Sequence, residues 1–207
     1  PDLLGGSGDG SVFFFKNIGS KTSPIFAPGI RLSTDSGQLN FGSRAVPRVH
    51  DWNEDGLLDL LVSSSTGVYW CQNAGSQTSP RLTYPRQLTA PGPTGELSSI
   101  NTSNRMRLEV SDWNQDGTAD LLIGNTDGTL CLFQGYRFAI TSFTWSSDGT
   151  IVIQWNSAPK VKYSILTGPT PSSCKDPVAS AIPSGGTTTS WQNRFLSRQQ
   201  FFQIRMP

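Results

Sequence analysis

The chain has 207 residues and a net charge of +1, with 35% hydrophobic and 15% charged residues. No stretch approaches the roughly 20 apolar residues of a membrane-spanning helix, and a near-neutral balance speaks against a general nucleic-acid binder. Three cysteines and one histidine suggest neither a disulfide framework nor a zinc site.

Charge is spread unevenly. Residues 1–135 hold nine Lys/Arg against thirteen Asp/Glu, a balance of −4, whereas residues 136–207 hold seven against two, a balance of +5. That shift predicts two regions, 1–135 and 136–207, with a boundary near Tyr136. The N-terminal `PDLLGGSGDG` lacks the basic and apolar regions of a secretory signal.

In chain order, the first region repeats itself. Asp2, Asp59 and Asp120 each precede a Leu-Leu pair, at intervals of 57 and 61 residues. After each pair a turn containing Gly10, Gly67 or Gly128 leads into a second β-like segment, `SVFFFKN`, `GVYWCQN` or `GTLCLFQ`. The first two copies continue through `GSKTSP` and `GSQTSP` to outer-strand candidates, `APGIRLS` and `YPRQLTA`. Alternating apolar residues in `SRAVPRVHDW` and `NRMRLEVSDW` predict another strand before each acidic cluster. The expectation is all-β: four-stranded repeats of about 60 residues, which reads as partial β-propeller blades. A solenoid of hairpins is the alternative. Because Pro1 and Asp2 enter in mid-motif, further blades are expected from a longer chain or from a partner chain.

Between the strands lie `DWNEDGLLD`, residues 51–59, and `DWNQDGTAD`, residues 112–120. Six aspartates of the fifteen acidic residues sit in these two loops. Carboxylates so crowded repel one another unless a cation lies among them. An all-oxygen donor set on a flexible loop suits Ca²⁺. The candidate ligands are the side chains of Asp51, Asn53, Asp55 and Asp59 with the Leu57 carbonyl, and of Asp112, Asn114, Asp116 and Asp120 with the Thr118 carbonyl. Gly56 and Gly117 supply the sharp turn. A plain β-turn rich in Asp, Asn and Gly is the competing reading. Glu54 and Gln115 are expected to face solvent, and Trp52 and Trp113 to wedge between repeats.

At these residues the chain resembles the FG-GAP/VCBS repeats of integrin-like β-propellers, whose signature is Asp-x-Asp/Asn-x-Asp-Gly-x-x-Asp running into a `DLLVG`-like strand. The resemblance covers residues 1 to about 135. It implies Ca²⁺ at both complete loops, with a structural role, in an extracellular or cell-surface setting. Asp2 matches only the last position of such a loop.

The second region reads differently. `FAITSFTWSSDGTIVIQWNS` predicts a hairpin turning at Ser147–Gly149, and `VKYSILTG`, `TTTSWQN` and `QFFQIRMP` add strand candidates. A small C-terminal β-sandwich is expected, similar to fibronectin-type-III or immunoglobulin-like modules.

No catalytic residue is assigned. His50 is the only imidazole, and the two Glu outside the acidic loops, Glu96 and Glu109, lie in no recognisable catalytic context. The functional expectation is a non-catalytic Ca²⁺-binding propeller segment for adhesion, recognition or assembly, with a protein or glycan ligand. A lectin-like propeller stacking sugars on Trp52, Trp70 or Trp113 is one alternative; an accessory module of a larger secreted hydrolase is another. Lys160, Lys162, Lys175, Arg194 and Arg198 could touch an acidic polysaccharide, though a solvated face explains them too, and `NTS` at Asn101 fits a glycosylation sequon.

Overall fold

A computed structural model describes residues 1–92, 97–102, 105–195 and 201–205. Glu96, Arg198 and Ser103 of the Asn101 triplet lie outside the described residues. The described chain is all-β, its one helical element a single 3₁₀ turn at Pro171–Ser173. It divides into two compact parts, 1–90 with 99–135 and 91–98 with 136–207.

The first part is three antiparallel sheets in series. Repeat 1 comprises β1 (Leu3–Gly6), β2 (Val12–Phe15) and β3 (Ile30–Arg31), paired in that order. A two-residue hairpin follows, β4 (Ser33–Thr34) with β5 (Gly37–Gln38). Repeat 2 is four-stranded, β6 (Val46–His50), β7 (Asp59–Ser64), β8 (Gly67–Cys71) and β9 (Arg86–Gln87). Short strands at Thr89–Pro91, β10, and Leu97–Ser99, β11, precede repeat 3. Repeat 3 is β12 (Arg107–Ser111), β13 (Asp120–Gly124) and β14 (Leu130–Phe133).

The segments read from sequence amount to four strands in repeat 2 and three each in repeats 1 and 3, and the sheets have four, three and three. The outer strand is two residues long in repeats 1 and 2, where Pro28 and Pro85 precede it. Proline has no N–H to give a ladder, which suits it to an edge. Repeat 3 has no outer strand among the described residues.

Alternation explains why β7 is `DLLVSS` and buried throughout. Leu60 and Val62 face repeat 1, joining Val12, Leu39, Phe41, Ala45 and Cys71 in one core. Leu61 faces the other way, with Val68, Ile100, Met106, Leu108, Leu121 and Ile123. Side chains alternate across a strand, so a strand between two neighbouring sheets must be apolar on both faces. Burying one leucine this way contributes about 1.5–3 kcal/mol.

The junctions differ in how closely the backbones approach. A Cβ on Gly6 would lie 1.8 Å from the Ala45 carbonyl oxygen, so only glycine fits there. Ser63 and Met106 hold the matching places at the next junction, where the Ser63 hydroxyl donates to the Met106 carbonyl at 3.3 Å. Arg48 and Glu109 bridge β6 and β12 at 3.0 Å.

The second part has two three-stranded antiparallel sheets. One is β15 (Ile140–Trp145), β16 (Thr150–Asn156) and β19 (Thr188–Arg194). The other runs β18 (Asp176–Pro183), β17 (Lys162–Gly168) and β20 (Phe201–Arg205). Both feed one apolar cluster centred on Ile151, Ile153, Trp155, Tyr163 and Ile165. Trp155 and Tyr163 meet edge-to-face at 5.5 Å between ring centroids. The hairpin predicted at Ser147–Gly149 is present: Gly149 N–H donates to the Ser146 carbonyl, and Asp148 accepts from Thr150 N–H at 3.0 Å.

Candidate functional site

The two acidic loops adopt one backbone. Glu54 and Gln115, the fourth residues, both have positive φ, 58° and 60°, and Gly56 and Gly117 both have φ 86°. A non-glycine residue in the left-handed region carries a cost of about 1–2 kcal/mol, so something must hold it there. The aspartates do. Asp51 accepts from Asp55 N–H at 3.0 Å and from Gly56 N–H at 2.8 Å, one carboxylate oxygen each. Asp112 repeats this with Asp116 N–H at 3.1 Å and Gly117 N–H at 2.9 Å.

The third and fifth positions close on the same turn. Asn53 Oδ1 also receives Asp55 N–H, at 3.3 Å, while its amide donates to Asp55 Oδ2 at 2.8 Å. Asn114 and Asp116 match at 3.0 and 2.9 Å. Asp55 Oδ1 accepts from Leu57 N–H at 2.9 Å, and Asp116 Oδ1 from Thr118 N–H at 2.8 Å. The Asn53 amide and then Leu57 N–H hold the Asp55 carboxyl below the ordinary aspartate value. For Asp116 the Thr118 N–H comes first and the Asn114 amide second. Both carboxyls are charged at neutral pH, and among the described residues no Lys or Arg pairs with Asp51, Asp55, Asp112 or Asp116.

The ninth residue behaves differently. Asp59 is 1% exposed at the start of β7 and accepts three hydrogen bonds. Asn73 N–H reaches Oδ1 at 2.7 Å; Trp52 N–H and the Trp70 indole reach Oδ2 at 3.3 and 2.9 Å. Asp120 is equally buried and accepts from Gly135 N–H at 2.7 Å and Trp113 N–H at 2.9 Å. Asp2 makes the corresponding bond to Asn17 N–H, also at 2.7 Å. The aspartate before each Leu-Leu pair thus ties the start of one strand to the end of the next strand in its own sheet.

A carboxylate has about four lone-pair sites. Three bonds leave Asp59 one further site and two leave Asp120 two. Among the described residues no three acid, His or Cys side chains gather into a metal cluster. The oxygen-only donors at positions one, three and five, held on one turn, fit a hard cation by type; the ninth donor is engaged by its own sheet.

His50 stands opposite Asp59 in the β6–β7 ladder, but no hydrogen bond joins its imidazole to Asp51 or Asp59. Of the three candidate sugar-stacking indoles, Trp52 packs on the repeat 2–repeat 3 core. Trp70 donates to Asp59 and lies under the Arg86 guanidinium, 5.5 Å from its centroid. Trp113 is exposed, beside a hollow of about 280 Å³ lined by Val110, Leu122 and Leu132. Of the two wedges expected from sequence, Trp52 is one; Trp113 is exposed and joins no core cluster among the described residues.

Asn17 and Asn73, which carried no sequence expectation, shape the `GSxTSP` connections. Asn73 is buried; its Oδ1 accepts from Gly75 and Arg81 N–H, both at 3.0 Å. Asn17 does the same with Gly19 and Ile25 at 2.9 and 3.1 Å. The signal was the asparagine two residues past each strand, ahead of Gly-Ser.

A family model described as an FG-GAP-like repeat matches residues 51–123, from the first loop aspartate into β13. That segment contains both acidic loops and the β7–β8 hairpin. The class is therefore an all-β protein carrying FG-GAP-like repeat sequence. No curated protein matches the chain.

Proposed function

We propose that residues 1–135 are blades of an extracellular or cell-surface β-propeller, that its acidic loops bind Ca²⁺, and that it serves adhesion, recognition or assembly, not catalysis. The ligands are Asp51, Asn53, Asp55, the Leu57 carbonyl and the remaining lone pair of Asp59. In the second loop they are Asp112, Asn114, Asp116, the Thr118 carbonyl and Asp120. Calcium here is structural: it would neutralise carboxylates that have no cationic partner and brace a strained turn. Residues 136–207 form a small β-sandwich module. The partner is a protein or a glycan at a cell surface or matrix.

The observation that carries this reading is the identity of the two loops, with the same left-handed fourth residue and the same set of carboxylate acceptors. A turn alone needs one or two such residues. The FG-GAP-like match over both loops supports it as well.

Thermal melts in EDTA and across a Ca²⁺ series test it. A ligand that binds the native state alone stabilises by about 2.7 kcal/mol at a hundredfold excess over its dissociation constant. The melting point should rise with Ca²⁺, and the rise should vanish when Asp55 and Asp116 are both replaced by Ala. An unchanged melting point would leave the loops as turns only.

A further inference from the structure

Five Asp-Gly pairs punctuate the chain: Asp9-Gly10, Asp55-Gly56, Asp116-Gly117, Asp127-Gly128 and Asp148-Gly149. In each the glycine has positive φ, between 77° and 87°. Backbone conformation does not tell them apart; the aspartate side chain does. Four of the carboxylates are held by the residue two places on. Asp9 Oδ1 accepts from Ser11 N–H at 3.0 Å and Asp55 Oδ1 from Leu57 N–H at 2.9 Å. Asp116 Oδ1 accepts from Thr118 N–H at 2.8 Å and Asp148 Oδ1 from Thr150 N–H at 3.0 Å. The second oxygen is taken as well, by the Ser11 and Thr150 hydroxyls or by the Asn53 and Asn114 amides.

At Asp127 a neighbour has taken that donor. Three hairpin turns share one backbone pattern, opening at Ser7, Asn125 and Ser146, each bonded to the residue four places on and to the turn glycine. Asn and Asp side chains compete for the N–H groups of such turns. Asn125 reaches further than serine: its Oδ1 accepts from Thr129 N–H at 3.2 Å and from Asp127 N–H at 3.0 Å. Its amide, donating to the Thr102 carbonyl at 2.8 Å, fixes it there. Among the described residues the Asp127 carboxylate accepts no hydrogen bond, and Asp127 and Gly128 are both exposed.

From this we infer that Asp127 is a modification site, the aspartate at which the folded chain converts spontaneously to isoaspartate. The Gly128 main-chain nitrogen attacks Asp127 Cγ, a C–N bond forms, and the carboxyl OH leaves as water with the proton of that nitrogen. Glycine has no Cβ to obstruct the attack. Water then opens the succinimide at either carbonyl. Opening at Cγ restores aspartate; opening at the main-chain carbonyl leaves the chain running through Cβ and Cγ, with one extra methylene in the β13–β14 turn. One water is lost and one is gained, with no oxidation. Ring closure needs a carboxyl that can swing to the glycine nitrogen and take up a proton. The bonds that pin Asp9, Asp55, Asp116 and Asp148 oppose both, since they also hold those carboxyls below the ordinary aspartate value. Hydrogen bonds to a charged group are strong enough to slow closure by about tenfold or more. The inference is independent of calcium.

The test is ageing of the full chain in mildly acidic buffer with EDTA, where no cation can protect the two acidic loops. Isoaspartate is mapped by mass spectrometry after digestion with a protease that cuts before aspartate but not before isoaspartate. In the native chain Asp127 should lead each of the other four sites by about tenfold or more. In urea, where the hydrogen bonds are gone, all five should age at similar rates. Asn125→Ser gives the turn the residue of its two counterparts and should bring Asp127 down to the level of Asp9 and Asp148. That variant also loses the bond to Thr102, so its melt is compared with the parent's; the native-against-urea comparison decides the matter even if the variant unfolds. Equal ageing at the five sites of the native chain, no isoaspartate at Asp127, or a lead that persists in urea would overturn the proposal. So would a folded Asn125→Ser chain that ages at Asp127 as fast as the parent.

Discussion

The Trp70 indole donates to Asp59 at 2.9 Å, joining β7 to β8 through a carboxylate that solvent barely reaches. Removing that carboxylate leaves an indole and the N–H groups of Trp52 and Asn73 without their acceptor. Each buried unmet donor costs about 1–3 kcal/mol, so Asp59→Ala should lose about 3 kcal/mol or more in denaturant unfolding. Trp70→Phe removes one donor and should cost about 1 kcal/mol. In the Asp59→Ala background its cost should shrink, as coupled partners require. Equal costs in both backgrounds would show that the two residues act separately.

Hydrogen bonding holds four turn aspartates, Asp9, Asp55, Asp116 and Asp148, below the 3.8 of a free carboxyl. A carboxyl with a depressed folded pKa adds stability that is fully present above its unfolded value. That stability is lost as pH falls through the folded value. The chain should therefore lose stability only below about 3.8 on account of these groups. Replacing Asp55 and Asp116 with Asn should flatten that acid limb in a pH series of melts, and an unaltered limb would refute the role of their hydrogen bonds.

Leu61 and Leu130 are both strand leucines on the same side of their repeats, yet Leu61 is fully buried and Leu130 is not. Leu61→Ala should cost about 2–5 kcal/mol, as large-to-small core changes do. Leu130→Ala should stay within about 0.5 kcal/mol of the parent. Comparable losses would contradict the exposure of Leu130.

Burial, with the Asp59 charge adding to it, pushes the Cys71 thiol up to about 12. Because the thiolate is the reactive form, Cys71 should resist alkylation at neutral pH until the chain unfolds. Cys174 is also buried, whereas Cys131 is partly exposed, and all three are free. Timed labelling read by mass spectrometry should show one fast thiol, at Cys131. Rapid modification of Cys71 in the native chain would contradict the packing between repeats 1 and 2.

Much of the fold was legible because it is written in period and punctuation. Alternating apolar residues, turn glycines and the recurring aspartate before Leu-Leu place the strands of repeats 1 to 3 and the hairpin at Asp148. The loops, too, could be placed to the residue, since Asp, Asn, Asp and Gly at fixed offsets leave few backbone choices. What could not be read was length at the sheet edges, where the outer strands are two residues long.

Sequence by itself therefore determined the repeat, the strand alternation and the type of donor in each acidic loop, all local properties of neighbouring residues. Only the tertiary structure decided that Asp59 and Asp120 turn inward. Each opens a strand whose side-chain directions the ladder sets, and the N–H groups waiting there come from residues 7 to 15 positions away. Tertiary structure alone also separated Val68 from Leu130. The two residues hold equivalent places in their strands, yet Val68 packs in the core shared by repeats 2 and 3 whereas Leu130 joins no core cluster among the described residues.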